Sequence, residues 1–250
     1  SFSVFAFFEK LILSFIFCTK LKTINFQDNS QLKYIDEYAF YNTGVKNVLL
    51  PSSVSQINNF SFEFCDSLKN VEFPKNSQLE SISSYLFYYS LLKRIKIPAK
   101  VKKIGLMAFF GLPKLEKVEF SKNSELIKIE SHSFWKCSEI VSISFPSGLT
   151  EIKNFAFSEC SKLKMIEFPQ NSNLKCIEKG AFAHAALENL ILPSNLETIM
   201  DGAFESCNNL LIVEVPSNSK LRNISKKIFG KNSQAILMIS AKISSFIHFG

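Results

Sequence analysis

The chain has few of the residues that build catalytic or nucleotide-binding loops. Its 250 residues include only eight glycines and three histidines, and no GxGxxG, P-loop, GxSxG or HExxH motif occurs. Loops that cradle phosphate depend on glycine, so the composition leaves little material for them. The six cysteines form no CxxC pair and no cluster with histidine, which disfavours a zinc site. The sequence therefore predicts no enzyme, no metal and no cofactor.

Long apolar runs and blocks of one charge are also missing. The stretch LILSFIF at 11–17 has only seven residues, six of them apolar, whereas a membrane-spanning helix needs roughly 20, so no membrane-spanning segment is predicted. A signal-peptide interpretation of this stretch lacks a small-residue cleavage site. Charged residues make up 20% of the chain, and the net charge of +7 is spread along it. Such a balance is compatible with plain solubility and with anionic partners.

A repeat of 23 to 25 residues is what the chain does contain. Each repeat contains one phrase, as in LKNVEFP (68–74). The phrase consists of an aliphatic residue, two variable positions, an aliphatic anchor, one variable position and a large apolar residue. The alternation predicts a short strand, and proline usually follows it. Repeats of this length indicate a stacked solenoid, because one unit cannot bury its own apolar face. The anchors are Ile24, Val48, Val71, Ile95, Val118, Ile143, Ile166, Leu190 and Val213.

A second phrase alternates with the first and ends in phenylalanine, as in LKYIDEYAF (32–40). Stacked coils would place these rings in one continuous apolar column, the spine of the core. The stretch through each phenylalanine is predicted to form a helical or 3₁₀ turn after a second short extended piece. The spine residues are Phe40, Phe62, Phe87, Phe109, Phe134, Phe157, Phe182, Phe204 and Phe229.

These patterns predict a single-domain α/β solenoid with short parallel strands on its concave face. Residues 21–250 would form nine to ten coils, and residues 1–20 an imperfect or truncated first repeat. In that first repeat Lys10 is expected at the place of the usual isoleucine. Residues 243–246 are expected to begin another half coil.

The phrases resemble the BspA-type leucine-rich repeat over residues 15–246. The resemblance rests on the LxxIxIP strand phrase, on the Ala-Phe pair seen at Ala39 and Phe40, and on Cys-x-x-Leu three residues later. It implies a leucine-rich-repeat horseshoe of the kind found on surface proteins of some bacteria and of anaerobic parasitic protists. It also implies binding to host matrix proteins or to other cells, and no catalytic residues.

Five of the six cysteines share one repeat position, which also accepts threonine, alanine and leucine. We interpret this position as a small packing site with inert thiols. A bridge between Cys137 and Cys160 is sterically conceivable, although stacking alone predicts none. Cys176 lies at a variable position beside a strand and is predicted to be the exposed, reactive thiol. The five cysteines of the packing site are Cys18, Cys65, Cys137, Cys160 and Cys207.

Polar positions within the strands should face outward and form columns across the coils, giving a broad and rigid surface that suits a protein ligand. Arg94, Lys96 and Lys117 form a basic patch there, and exposed aliphatic residues often mark contact sites. The predicted binding residues are Asn47, Leu49, Asn70, Glu72, Arg94, Lys96, Lys117, Glu119, Glu167, Asn189, Ile191 and Ile212.

The most direct function from these features is adhesion through a protein ligand, at the cell surface or after secretion. An alternative is an anionic polymer such as a sulfated glycan, bound by the lysine row that precedes the strands. Nucleic acid is disfavoured, because the pattern assigns phenylalanine to the core and leaves few rings for base stacking. An intracellular, cytoplasmic scaffold is a further alternative. Glycosylation sequons occur at Asn59 and Asn223. The lysine row is Lys22, Lys46, Lys69 and Lys93.

Overall fold

The structure, a computed structural model, describes residues 2–4, 9–11, 15–26, 29–230, 235–239 and 248–249. Each coil contributes one longer and one two-residue strand, and the coils stack into a parallel β-solenoid of about ten turns. No residue in these ranges is helical. The predicted α/β class and the predicted helical or 3₁₀ turns are therefore wrong, whereas the stacked solenoid is confirmed.

The long strands follow the first phrase and the short strands follow the second. The long strands are β1 (Phe2–Val4), β3 (Thr23–Phe26), β5 (Asn47–Leu49), β7 (Asn70–Glu72), β9 (Arg94–Ile97), β11 (Lys117–Phe120), β13 (Ser142–Ser144), β15 (Met165–Glu167), β17 (Asn189–Ile191), β19 (Ile212–Val215) and β21 (Ile236–Ile239). The short strands are β2 (Lys10–Leu11), β4 (Tyr34–Ile35), β6 (Gln56–Ile57), β8 (Ser81–Ile82), β10 (Lys103–Ile104), β12 (Lys128–Ile129), β14 (Glu151–Ile152), β16 (Cys176–Ile177), β18 (Thr198–Ile199), β20 (Asn223–Ile224) and β22 (His248–Phe249).

Every strand pairing is parallel and joins the same repeat position in neighbouring coils. In β9 and β11, for example, Arg94 pairs with Lys117 and Ile95 with Val118. Successive side chains of a strand point to opposite faces, so the anchors are buried and their neighbours face outward. The outward side chains of the long strands consequently form straight columns. We call this surface the long-strand face.

The predicted column of phenylalanine rings is confirmed. Centroids of adjacent spine rings lie between 4.8 and 6.3 Å apart, and the ring of Phe15 extends the column at its N-terminal end. The eight rings from Phe40 to Phe204 have no exposed surface. Each of these rings stacks with a lateral offset on the adjacent ring, a geometry that aromatic pairs favour. The column therefore connects all of these coils through one core.

Residues with a positive φ angle explain why the segment around each spine ring is not helical. His132 and Lys136, two residues before and after Phe134, have φ angles of 58° and 62°. Left-handed residues interrupt a right-handed helix. The N–H groups of His132, Phe134 and Lys136 donate to carbonyls of the next coil, and those of Trp135 and Cys137 donate back within their own coil. We call the side of the solenoid made by these segments the turn edge.

The pairing of the first short strand, β2, shows that the register predicted for Lys10 is wrong. Lys10 pairs with Tyr34 and Leu11 with Ile35. Leu11, which is buried, therefore takes the place of the isoleucine, and the assignment of Lys10 to that place is wrong. The spacing from Leu11 to Phe15 is one residue shorter than in later coils, which misled the alignment.

The half coil expected at 243–246 lies outside the described residues, and the domain boundaries stay a prediction.

Candidate functional site

All twelve predicted binding residues occupy the first or third position of a long strand and point outward. All are exposed except Asn70, which is half-buried. Strand pairing places Asn70 beside Arg94 and Arg94 beside Lys117, while Lys96 lies beside Glu119. The same pairing joins Asn47 to Asn70, Leu49 to Glu72, and Asn189 to Ile212. Glu167 and Ile191 pair instead with Ser144 and Glu214.

The basic patch is partly neutralised by acidic neighbours. Lys117 Nζ lies 2.9 Å from Glu119 Oε1. The hydrogen bond from Lys117 lowers the pKa of Glu119, and the charges of Lys96 and Arg94 act in the same direction. Glu72 Oε1 accepts a hydrogen bond from the Asn70 amide at 2.6 Å. These pairs are exposed, so they define a local charge pattern and contribute little to stability.

The lysine row is a second charged feature of this face. Lys22, Lys46, Lys69 and Lys93 are exposed on successive coils, and no ion pair of theirs occurs within the described part of the chain. Lys22 Nζ donates only to the Thr19 carbonyl, at 3.3 Å. Further along the same column, Lys164 is paired with Glu188 at 3.1 Å. Within this column of the described chain, unpaired lysines therefore lie in the N-terminal coils.

Exposed apolar side chains lie among polar ones on the C-terminal half of the long-strand face, and the sequence analysis found only part of this apolar patch. Ile191 is 65% exposed, Ile236 is 63% exposed and Met238 is 53% exposed. Pairing places Ile212 between Asn189 and Ile236. Extending the two outward columns by one period beyond Val213 would have identified Ile236 and Met238. The apolar patch consists of Met165, Ile191, Leu211, Ile212, Ile236 and Met238.

A band of aromatic rings on the turn edge was missed altogether. Its members lie two residues before, one after or two after a spine phenylalanine, and their rings contact one another. Tyr38 stacks on Phe60 at 5.0 Å, and Phe110 meets Trp135 edge-on at 5.2 Å. The expectation that phenylalanine is confined to the core is wrong for this band, because Phe17 is exposed and Phe60 is half-buried. The aromatic band consists of Phe17, Tyr38, Tyr41, Phe60, Phe64, Tyr85, Tyr88, Tyr89, Phe110, His132, Trp135 and Phe155.

One carboxyl group is buried within the aromatic band. Glu63 follows the spine residue Phe62 and is only 8% exposed. Burial raises its pKa to about 7. The pKa values of Tyr38 and Tyr88 are raised as well, first by burial and additionally by the charge of Glu63. Glu63 is therefore close to both phenols.

The aromatic band ends at Phe155, which lies two residues before a spine phenylalanine. In the next two coils the same position is occupied by Gly180 and Gly202. A Cβ atom at Gly180 would come within 2.3 Å of the Phe155 ring, so that ring requires glycine there. A cavity of about 650 Å³ opens beside it, lined by Phe155, Gly202, Asp201, Glu205 and the lysines 226 and 227 among others. Its described lining contains neither histidine nor cysteine.

The predicted packing role of the cysteines is confirmed for four of them. Each of these thiols donates a hydrogen bond to the carbonyl of a spine phenylalanine in the preceding coil, at 3.0–3.3 Å. Burial raises the pKa of Cys65 to about 11, and those of Cys137 and Cys207 to about 12. All six cysteines are free thiols. The four are Cys65, Cys137, Cys160 and Cys207.

Two cysteines differ from the sequence expectation. Cys18 is exposed and does not occupy a buried packing site. Cys176, predicted to be exposed and reactive, is half-buried, and burial raises its pKa to about 11. Because the thiolate is the reactive form, a raised pKa suppresses alkylation near neutral pH.

We therefore expect one rapid thiol in the native protein. Iodoacetamide at pH 7.5 should label Cys18 first, Cys176 roughly tenfold or more slowly, and the four packing cysteines only on unfolding. Peptide mass spectrometry over a time course measures this order. The Cys18→Ser variant is the control and should lose the rapid phase; a rapid phase that persists at Cys176 would contradict the assignment.

Metal and membrane features are absent from the part of the chain that the structure describes. There, no three His, Cys, Asp or Glu side chains lie close enough together to hold a metal ion. The same residues include no helix suited to crossing a bilayer.

His132 is half-buried in the aromatic band, where burial lowers its pKa, and His184 is exposed. Of the sequon residues, Asn59 and Asn223 are both exposed.

Solved structures of two leucine-rich repeat proteins show the same repeat architecture. A leucine-rich repeat protein from Bacteroides ovatus is 26% identical, with a TM-score of 0.67 over 86% of this chain. This chain spans only 57% of that protein. A leucine-rich repeat protein from Eubacterium ventriosum is 19% identical, with a TM-score of 0.53 over 84% of this chain and 64% of that one. A leucine rich cell surface protein from Faecalibacterium prausnitzii is 23% identical, with a TM-score of 0.49 over 94% of this chain and 77% of that one.

Curated protein sequences give no significant match. The sequence profile of the BspA type leucine rich repeat region, in contrast, matches six copies over residues 12–116, 80–211 and 127–247. These ranges include nearly every coil and agree with the strand phrase, the Ala-Phe pair and the ring column. The chain therefore belongs to the BspA-type leucine-rich repeat family.

Proposed function

We propose that this chain is a non-enzymatic binding module that recognises a protein partner through its long-strand face. The apolar patch is the observation that carries the proposal. Ile191, Ile212 and Ile236 lie on paired or adjacent strands of a rigid sheet, and exposed aliphatic clusters of this kind favour protein contacts. Leucine-rich repeat proteins generally bind proteins, which agrees with this assignment.

The charged half of the face would then contribute orientation and specificity. Arg94, Lys96 and Lys117 lie in the coils before the apolar patch, with Glu72 and Glu119 among them. Charged groups at the rim of an interface steer the encounter and select against partners of the wrong charge. A partner with an apolar centre and an acidic margin fits this arrangement. We place the module at the cell surface or in a secreted protein.

Binding of an anionic polymer such as a sulfated glycan is the second candidate, and the lysine row favours it. Four contacts to a polyanion would lower the affinity on the order of 100-fold between 50 and 200 mM salt. Protein binding through the apolar patch would depend much less on salt. A cytoplasmic scaffold uses the same face, and antibody labelling of intact cells distinguishes it from a surface protein.

The two candidate functions can be distinguished by charge-changing variants. Affinity-purified partners of the wild-type chain, taken from surface-labelled host cells, should be lost when Ile191→Asp and Ile212→Asp are combined, with binding at least about tenfold weaker. Arg94→Glu with Lys117→Glu should mainly slow association. Surface plasmon resonance with the captured partner, at both salt concentrations, measures these effects.

A matched control lies on another side of the solenoid. Ile127 is an exposed aliphatic residue that precedes β12 of the short-strand sheets, so Ile127→Asp should leave binding unchanged. Equal loss of binding in this control would point to a general effect on folding. Unchanged binding in the Ile191 and Ile212 double variant would reject the apolar patch, and a loss of affinity on the order of 100-fold between 50 and 200 mM salt would then favour the polyanion hypothesis.

A further inference from the structure

The cavity of about 650 Å³ on the turn edge lies where the aromatic band ends. Its lining includes the ring of Phe155 and one glycine from each of three successive coils, Gly180, Gly202 and Gly230. Sites for small molecules usually measure about 300–1,000 Å³, so this cavity has the size of such a site. It is separate from the long-strand face, and the protein-binding function proposed above does not use it. We call it the turn-edge cavity.

Missing side chains leave space in the turn-edge cavity. Gly180 and Gly202 lie two positions before a spine ring, where six earlier coils carry a bulky side chain. All eight residues have φ angles between 51° and 61°, so the backbone conformation does not demand glycine. A Cβ atom at Gly202 would lie 2.9 Å from Glu205 Oε2, and one at Gly230 would lie 2.9 Å from Glu205 Cγ. The glycines therefore let the neighbouring side chains lie directly on the backbone. The six earlier residues are Tyr38, Phe60, Tyr85, Met107, His132 and Phe155.

The Phe155 ring is stacked from one side only. His132 stacks on it at 5.3 Å and Trp135 lies 6.4 Å away, and both belong to the preceding coil. Among the described rings, none from the following coil contacts it, and the turn-edge cavity lies there instead. A ring supplied by a ligand would therefore continue the band, in the offset arrangement that aromatic pairs favour.

Charged side chains of both signs line the turn-edge cavity without partners. Lys179, Lys226 and Lys227 are exposed in its lining, and so are Asp201 and Glu205. None of these five forms an ion pair within the described part of the chain. A ligand of one charge would pair with some of these groups and face like charge on the others, which costs affinity. The lining therefore favours a ligand that carries both charges.

The backbone of the three glycines is already hydrogen-bonded. The Gly180 amide donates to the Asp201 carbonyl at 3.0 Å, the Gly202 amide to the Lys227 carbonyl at 3.0 Å, and the Gly230 amide to the same carbonyl at 3.1 Å. These bonds fix the backbone of the turn-edge cavity before any ligand arrives. Recognition must therefore come from the ring of Phe155 and from the charged side chains.

We propose that the turn-edge cavity binds an aromatic amino acid as its zwitterion. The ring of the ligand lies against Phe155, where the aromatic band has its gap. The ammonium group pairs with Asp201 and Glu205, and the carboxylate pairs with Lys226 and Lys227. An aliphatic amino acid lacks the ring, and an aromatic acid or amine lacks one of the two charges, so each of these binds more weakly.

Isothermal titration calorimetry with L-phenylalanine at pH 7.5, on the full chain, tests the ligand class. Saturable binding of one molecule is expected. Phenethylamine lacks the carboxylate, 3-phenylpropionate lacks the ammonium group and L-leucine lacks the ring, so each should bind at least about tenfold more weakly. No saturable binding of L-phenylalanine at millimolar concentrations, or equal affinity for any of the three analogues, overturns the proposal.

Neutral variants of the lysines test where the carboxylate of the ligand lies. Lys226→Gln combined with Lys227→Gln should weaken L-phenylalanine binding at least about tenfold and should not weaken phenethylamine binding. Lys175→Gln combined with Lys220→Gln is the matched control, since both lysines are exposed and lie outside the lining; it should bind L-phenylalanine as the wild type does. Wild-type affinity in the first double variant contradicts the proposal.

Neutral variants of the two carboxylates test the ammonium side in the same way. Asp201→Asn combined with Glu205→Gln should weaken L-phenylalanine binding at least about tenfold and should not weaken 3-phenylpropionate binding. Both residues are exposed, so an unchanged circular dichroism spectrum is expected and verifies the fold. If this variant keeps the wild-type affinity for L-phenylalanine, the acidic side of the turn-edge cavity does not hold the ligand and the proposal fails.

Discussion

Replacement of Phe134 by alanine is expected to lower the free energy of unfolding by about 3–5 kcal/mol. The Phe134 ring has no exposed surface and stacks at 4.8 Å on Phe109 and at 4.9 Å on Phe157. Its loss therefore removes buried apolar area, leaves a cavity and deletes two ring contacts at once. Thermal unfolding followed by circular dichroism should show a midpoint lower by roughly 10 °C.

A control for this variant is another phenylalanine in a different setting. Phe17 is 64% exposed on the turn edge, and among the described rings it meets only that of Tyr41, edge-on at 5.4 Å. Phe17→Ala should therefore change the free energy of unfolding by less than about 1 kcal/mol. Equal effects of the two variants would mean that the spine does not hold the coils together.

Replacement of Glu63 by glutamine is expected to stabilise the protein, and the gain should grow with pH. The folded pKa of Glu63, about 7, lies above the unfolded value of 4.5. The native protein therefore holds this proton more tightly than the unfolded chain does. The associated stability is complete below pH 4.5 and is lost as the pH rises through 7, up to about 3 kcal/mol.

The variant has no such proton to lose, so it should match the wild type at pH 4.5 and exceed it by about 3 kcal/mol at pH 8. Urea unfolding at several pH values measures the difference. The neighbouring Tyr38 and Tyr88 have raised pKa values and stay neutral throughout this range. Glu205→Gln, exposed at the same repeat position, is the control and should show no comparable trend. A pH-independent difference would mean that Glu63 is not buried in solution.

The fold could be predicted in large part because one pattern recurs in every coil. Each repeat places an anchor such as Ile95 inside a strand and a spine ring such as Phe109 inside the core, so the periodicity predicts the stacking, and it predicts the register in every coil that keeps the period. The first coil, with its shorter spacing from Leu11 to Phe15, is the exception. The turn segment was predicted wrongly. Bulky residues such as His132 adopt a positive φ angle there, and the propensity of a single residue does not indicate such a conformation. That conformation is imposed by hydrogen bonds to the next coil.

The candidate surfaces could be predicted only where they follow the strand period. The columns that contain Arg94 and Ile191 lie where the alternation placed them, whereas Ile236 lay beyond the last anchor considered. The aromatic band was overlooked, since a ring at a turn is indistinguishable from a core ring until the direction of the backbone is known. The burial of Glu63 depends on rings from the coils before and after it, and no local pattern reports that.

The central claim is that adjacent coils are coupled through neighbouring rings of one continuous column. A double-mutant cycle tests it most directly, using leucine substitutions at Phe134 and Phe157, which stack at 4.9 Å, and at the distant pair Phe62 and Phe182. Denaturant unfolding should give a coupling of about 0.5–1.5 kcal/mol for the adjacent pair and a value near zero for the distant pair. Additive effects in the adjacent pair would contradict the account.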